Sequence, residues 1–190
     1  LCSSSVGWVE NSMITKIGES AYELSGLLKM KELSFDVMRE CFPAFSTEQC
    51  VEAYAVLGGV PGRWKHFNVK LGIRENICNC ILNPKSALCE EGKLLVEEEL
   101  RETAVYNTIL AAIASGKHKL NDLYLHTEFS RAKISVYLKN LMELELVEKV
   151  FSYDTEGKAN AQKGIYRISN HLVDFYFTYL YPNFTSLEDL

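Results

Sequence analysis

No run of about eighteen apolar residues occurs in this 190-residue chain, so no segment reads as a membrane span. No signal peptide is recognisable. The six cysteines, at 2, 41, 50, 78, 80 and 89, are irregularly spaced. Cys78-Asn79-Cys80 is CxC rather than CxxC, and no paired histidines accompany it. Reduced thiols in a cytoplasmic protein are expected, with no metal site and no disulfide framework. His66, His118, His126 and His171 are scattered, without nucleophile or ligand spacing. Asn183-Phe184-Thr185 matches a glycosylation sequon, but without a secretory signal it carries no weight. A phosphate-binding GxxxxGK[ST] is missing too. Lys93, Lys117 and Lys158 each follow a glycine, but none is followed by Ser or Thr. No apolar strand ends in paired acids that would hold Mg²⁺. No membrane partner is expected.

Basic charge is also scarce. The net charge is −5, which excludes polyanion binding by bulk electrostatics. Residues 1–100 hold 10 Lys and Arg against 14 Asp and Glu, whereas residues 101–169 hold 10 against 8. The second region is the least acidic part of the chain, yet far from a basic stripe.

What is present is a pattern over 102–170 that reads helix, helix, helix, strand, turn, strand. ETAVYNTILAAIASG places Val105, Ile109, Ala112 and Ile113 on one face and stops at Gly116. A short helix is expected from Lys119 to about His126. Ser130 then opens RAKISVYLKNLMELE, with Ile134, Tyr137, Leu138 and Leu141 on one face. LVEKVFSYD alternates as a strand, TEGKANAQKG is polar and loop-like, and Ile165 to Ile168 resumes a strand. This is the order of a winged helix, whose third helix usually enters a DNA groove.

Upstream, residues 11–32 are weakly patterned and are expected to close with a short strand, LLKMKEL. Ser34 opens a helix ended by Pro43. Ser46 or Thr47 caps TEQCVEAYAVLGG, with Glu48 in the first turn and Gly58-Gly59 as the stop. Pro61 starts a short helix with Trp64 and Phe67, and another helix is expected around Ile73–Leu82. The Glu97-Glu98-Glu99 run reads as a solvated helix face. FYFTYLYP reads as a packed helix rather than a base-stacking platform.

Three stretches carry a resemblance: FPAFSTEQCVEAYAVLGGVPGRWKHF, NPKSALCEEGKLLVEEELRETAVYNTILAAIASGKHKLNDL and YRISNHLVDFYFTYLYPN. Together they resemble the C-terminal half of the archaeal and bacterial AAA/STAND-like P-loop ATPases that carry a C-terminal nuclease-like domain. The resemblance runs over nearly the whole chain. It implies that LCSSSVGW (with Ser3, Ser4 and Ser5) lies where that family places its sensor segment. It also implies that KELSF joins core to lid. AYELSG lacks the Arg that many relatives carry there. The opening has no Met and looks like a start inside a larger protein, so ATP and Mg²⁺ are expected only for an intact parent, an ATPase. This chain, lacking the P-loop, is not expected to be an enzyme by itself.

The expected fold is mainly α (α+β): a small helical lid subdomain followed by a winged helix-turn-helix. The boundaries are 1–32 for the end of the ATPase core, 33–100 for the lid, 101–182 for the winged helix and 183–190 for a linker. The expected DNA-contacting residues are Ser130, Arg131, Lys133, Lys139 and Asn140 on the third helix, with Ser135 beside them. On the wing they are Lys158 and Lys163, with Gln162. Glu143, Glu145 and Glu148 lie close by and oppose a phosphate backbone. The alternative partner is protein: the winged helix docks on its own ATPase core or on another chain. One exposed basic face formed by Arg131, Lys133 and Lys163 favours DNA, and an apolar patch there favours protein.

Overall fold

The computed structural model describes residues 9, 13–97, 102–151 and 164–184. α1 (Ile14–Ile17) runs into a 3-10 turn (Gly18–Glu23), after which residues 24–33 have no regular structure. The strand expected at LLKMKEL does not form: Leu27, Leu28 and Met30 are 60%, 87% and 81% exposed. A strand needs an edge to pair with. Here the main chain meets a neighbour at Leu33, whose N–H donates to Gly59 O at 2.8 Å.

Five short helices follow. α2 (Phe35–Cys41) starts after Ser34 and ends ahead of Pro43. α3 (Thr47–Leu57) has a reciprocal cap. Gln49 N–H donates to Ser46 Oγ and Ser46 N–H to Gln49 Oε1, so the capping partner is Gln49 at N3. Such a cap contributes about 1 kcal/mol. α3 ends on Gly58 at φ +64°, a conformation that strains any residue with a Cβ. α4 (Pro61–Trp64) starts on proline, α5 is Ile73–Cys80, and α6 is Ala87–Glu97.

The remaining elements match the winged-helix order. They are α7 (Thr103–Ala114), α8 (Leu120–Thr127), α9 (Arg131–Glu143), β1 (Val147–Val150), β2 (Ile165–Ile168) and α10 (His171–Phe175). The strands pair antiparallel with Val147 opposite Ile168 and Glu148 opposite Arg167. The far end of the expected strand, 152–154, lies outside the described residues. Leu146 and Val147, at its start, are both buried. α10 continues through a π turn (Tyr176–Leu180), where Tyr176, Phe177 and Leu180 are buried. FYFTYLYP is thus a packed helical segment. Among the described residues the protein is mainly helical with one two-stranded sheet, as expected.

Met38, Leu57, Leu88, Ile109, Leu138 and Leu172 belong to one continuous apolar cluster. It crosses from the 33–100 region into the winged helix, where α10 packs on both α3 and α6. The junction is tightened by a buried charge. Arg63, 3% exposed, donates Nε to Glu91 Oε1 at 2.8 Å and Nη1 to Leu57 O at 3.2 Å. The same Nη1 reaches Asn170 Oδ1 at 3.4 Å, and that oxygen also accepts Val173 N–H as the cap of α10. Three elements therefore converge on one guanidinium.

The glycine pair has a second use. A Cβ on Gly59 would lie 2.1 Å from Leu33 O, so only glycine lets the 32–33 segment pass so closely. Gly59 N–H donates to Glu32 Oε2 at 2.9 Å, and Tyr54 Oη donates to Leu33 O at 2.8 Å.

Candidate nucleic-acid interface

α7 is the platform for the two helices that follow. Tyr106, Ile109, Leu110, Ala112 and Ile113 are buried, and Gly116 ends the helix at φ +91°. The turn between α8 and α9 is built without glycine. Thr127 Oγ1 donates to Leu123 O at 2.8 Å and accepts Phe129 N–H at 3.3 Å, while Glu128 takes the left-handed conformation at φ +61°. This is a side-chain-directed turn of the kind Thr can form.

α9 buries Ile134, Leu138 and Leu141. With one face of the helix thus fixed against the core, the candidate residues separate by direction. Ser130 is the N-cap, its Oγ accepting Lys133 N–H at 3.2 Å. Arg131 is exposed but held sideways against α8. Its Nη2 donates to Asn121 Oδ1 at 2.6 Å, and its guanidinium lies 4.0 Å from the centre of the Tyr124 ring. Lys133 leans to the opposite side, its Nζ 4.7 Å from the Phe129 ring centre and 5.7 Å from that of Tyr137. Asn140 faces α7, where its Nδ2 donates to Tyr106 Oη at 2.7 Å. Tyr137 lies beside it. Its ring centre is 4.6 Å from that of Tyr106 and its hydroxyl donates to Glu102, which pushes the phenol up to about 12. Lys158, Gln162 and Lys163 lie outside the described residues, as do Ser3, Ser4 and Ser5.

The outward stripe of α9 is therefore Ala132, Ser135, Val136 and Lys139, all exposed, flanked by Arg131. Val136 is 58% exposed. Arg131 and Lys133 do not share one face with it, so the outward surface is mixed rather than basic. Ala132 and Val136 were missed in the sequence because residue type, not helical direction, guided the choice. Positions 132, 136 and 139 recur at helical spacing opposite the buried 134, 138 and 141, a signal that the pattern did contain.

The acids near the helix are each paired. Lys139 Nζ lies 3.7 Å from Glu143, Arg167 Nε lies 2.6 Å from Glu148 Oε1, and Lys29 pairs with Glu145. These are surface pairs, each contributing little to stability. They do neutralise the carboxylates that would face a phosphate backbone.

A concavity of about 460 Å³ lies between the wing root and α10 and includes His118, Arg167, His171 and Asp174. Desolvation raises the Asp174 carboxyl, offset in part by His171 and His118. Among the described residues no group of three or more His, Cys, Asp or Glu is arranged to hold a metal. Five cysteines are free among them, and burial raises the Cys80 and Cys89 thiols, opposite to what a reactive thiolate needs. No described helix is long and apolar enough to cross a membrane.

Three helices followed by a β-hairpin, with the third helix exposing one face of mixed character, define a winged helix-turn-helix. Residues 107–149 match the family described as bacterial regulatory protein, arsR family, so a helix-turn-helix of that family is present there. An uncharacterized protein of Methanocaldococcus jannaschii is 33% identical over 165 residues, covering 87% of this chain and 37% of that protein. The chain thus spans well under half the length of this relative, and the likeness extends far beyond the winged helix. No solved structure matches.

Proposed function

We propose that this chain is a DNA-binding module in which α9 enters the major groove and the 33–100 helices hold the winged helix in place. The observation that carries this reading is the outward stripe of α9, with Ser135, Val136 and Lys139 exposed beside the Arg131 guanidinium. It occupies the position from which the second helix of a helix-turn-helix reads base edges. The match of residues 107–149 to an arsR-family regulator supports the same use. The reading extends to the intact protein. By its resemblance to P-loop ATPases, the module serves a cytoplasmic ATP-dependent parent whose ATP- and Mg²⁺-binding elements lie outside this chain. The chain itself then needs no cofactor. The competing partner is protein, either the ATPase core or another chain, and the exposed Val136 on an otherwise sparsely charged face is the feature that favours it.

Fluorescence anisotropy with labelled duplex separates the two. Binding should weaken steeply with salt. Lys139→Ala should lower the slope of log K against log salt by about 0.9, one phosphate contact. Lys139 is the appropriate probe because its described partner is Glu143 on the same exposed face, so its removal leaves the fold intact. No binding at low salt would refute the DNA reading and leave protein docking.

A further inference from the structure

We propose that Val136, with Ala132 one turn before it, is a specificity-determining contact to the 5-methyl group of thymine in the major groove. The inference rests on the DNA reading above and says which base feature α9 recognises. Val136 is 58% exposed at the middle of α9, whereas its helical neighbours Ile134 and Leu138 are 0% and 1% exposed. Its burial is therefore not needed by the fold. Lys139, at the C-terminal end of the stripe, pairs with Glu143, and the other described side chains around Val136 with two or more donors are directed elsewhere. Arg131 is bonded to Asn121 and stacked on Tyr124, Asn140 is bonded to Tyr106, and Lys133 lies over Phe129 and Tyr137. The bidentate pairings that identify guanine or adenine are thus absent from the centre of this stripe. What remains there is aliphatic: one Ala methyl and the two Val methyls, with the single Ser135 hydroxyl alongside. Among the four bases only thymine offers a methyl group in the major groove, and apolar side chains are its complement. Ala132 and Val136 are four residues apart, so they lie one above the other on the same face and can meet methyls on successive base pairs.

The experiment uses the full chain. Duplexes that it enriches from a random pool are identified first. Each thymine in an enriched duplex is then replaced in turn by deoxyuridine, which lacks only the methyl. Wild type should bind about fourfold more weakly at one or two of these positions, the effect of one methyl-sized group returned to water. Val136→Ala should weaken binding to the parent duplex and lose the difference between thymine and uracil at one of those positions. Equal affinity for every thymine and uracil version would overturn the proposal. So would an undiminished difference in Val136→Ala, or salt-dependent binding without sequence enrichment; in each of these cases the DNA reading stands. Absence of any binding at low salt removes both.

Discussion

Replacing Arg63 by Met tests whether the buried guanidinium joins the helical region to the winged helix. Methionine keeps most of the aliphatic stem, so the change removes charge and donors rather than packing. Three acceptors lose a donor: Glu91 Oε1, Leu57 O and Asn170 Oδ1. Losing one partner of a fully buried ion pair costs about 3–5 kcal/mol. The Glu91 side chain is 37% exposed, so its carboxylate regains water and that figure must be discounted. The Leu57 carbonyl, close to a buried arginine, has no such recourse, and an unsatisfied buried acceptor costs about 1–3 kcal/mol. The expected loss is about 2–3 kcal/mol, read as a lower urea midpoint at unchanged m-value. Glu91→Gln should cost under about 1 kcal/mol, because a neutral oxygen still accepts from Nε. The joint itself is tested by a double-mutant cycle with Asn170→Ala. Asn170→Ala alone loses the α10 cap, about 1 kcal/mol. Coupling between the two sites should be about 0.5–1 kcal/mol, in keeping with the long 3.4 Å contact. Additive effects within about 0.3 kcal/mol, or an Arg63→Met protein as stable as wild type, would refute the reasoning.

Two further perturbations follow from local geometry. Gly59→Ala should cost about 1–3 kcal/mol and speed tryptic cleavage after Lys29 and Lys31, because its Cβ would collide with the Leu33 main chain. Gly62→Ala, with nothing within 4 Å of the new Cβ, should be neutral or stabilise by up to about 1 kcal/mol; the reverse order in thermal melts would contradict the packing. For Tyr137, the Glu102 carboxylate that accepts its proton raises the phenol from 10.0 to about 12. A raised folded value makes the neutral form the favoured one. The contribution to stability is thus complete below pH 10 and is lost as pH rises toward 12. Absorbance titration should show a late-titrating tyrosine that disappears in Tyr137→Phe while the late component from Tyr54 remains, and an unchanged curve would remove the Glu102 contact.

The winged helix was legible because its elements obey their periods. Ser130 before an amphipathic run became a real cap on α9, Gly116 a real stop, and Ile165–Ile168 a strand with those limits. LLKMKEL was misleading for a physical reason. Its apolar content suits a strand, but strand formation depends on a partner edge that no local pattern reveals, and here the segment lies exposed. Arg63 was illegible for the opposite reason. In PGRW it looks like a surface charge, and only the tertiary meeting of Leu57, Glu91 and Asn170 buries it. The site was half legible. The helix was identified, but the direction of each side chain depends on what the neighbouring elements offer. Asn140 finds a tyrosine hydroxyl on α7, and Arg131 finds a ring and an amide on α8.

A buried arginine is weak evidence for stability, since a well-packed apolar group of the same volume often does as well. Its distinguishing property is direction. A guanidinium must meet its acceptors in its own plane, so Leu57, Glu91 and Asn170 can satisfy Arg63 together in few arrangements. Asn170 is also the cap of α10, and α10 packs on α3 and α6. Displacing the winged helix against the 33–100 helices therefore breaks the Arg63–Asn170 contact first, while the Leu57 and Glu91 contacts and the α10 cap stay within their own sides of the junction. The same logic operates at the other end of the module, where Arg131 fixes the first turn of α9 to α8 through Asn121 and Tyr124. Two arginines, one buried and one exposed, thus orient the stripe of Ala132, Ser135, Val136 and Lys139. This is why an Arg131 substitution alone is a poor assay of DNA contact: it changes the posture of α9 as well as its charge, whereas Lys139 and Val136 report on contact itself.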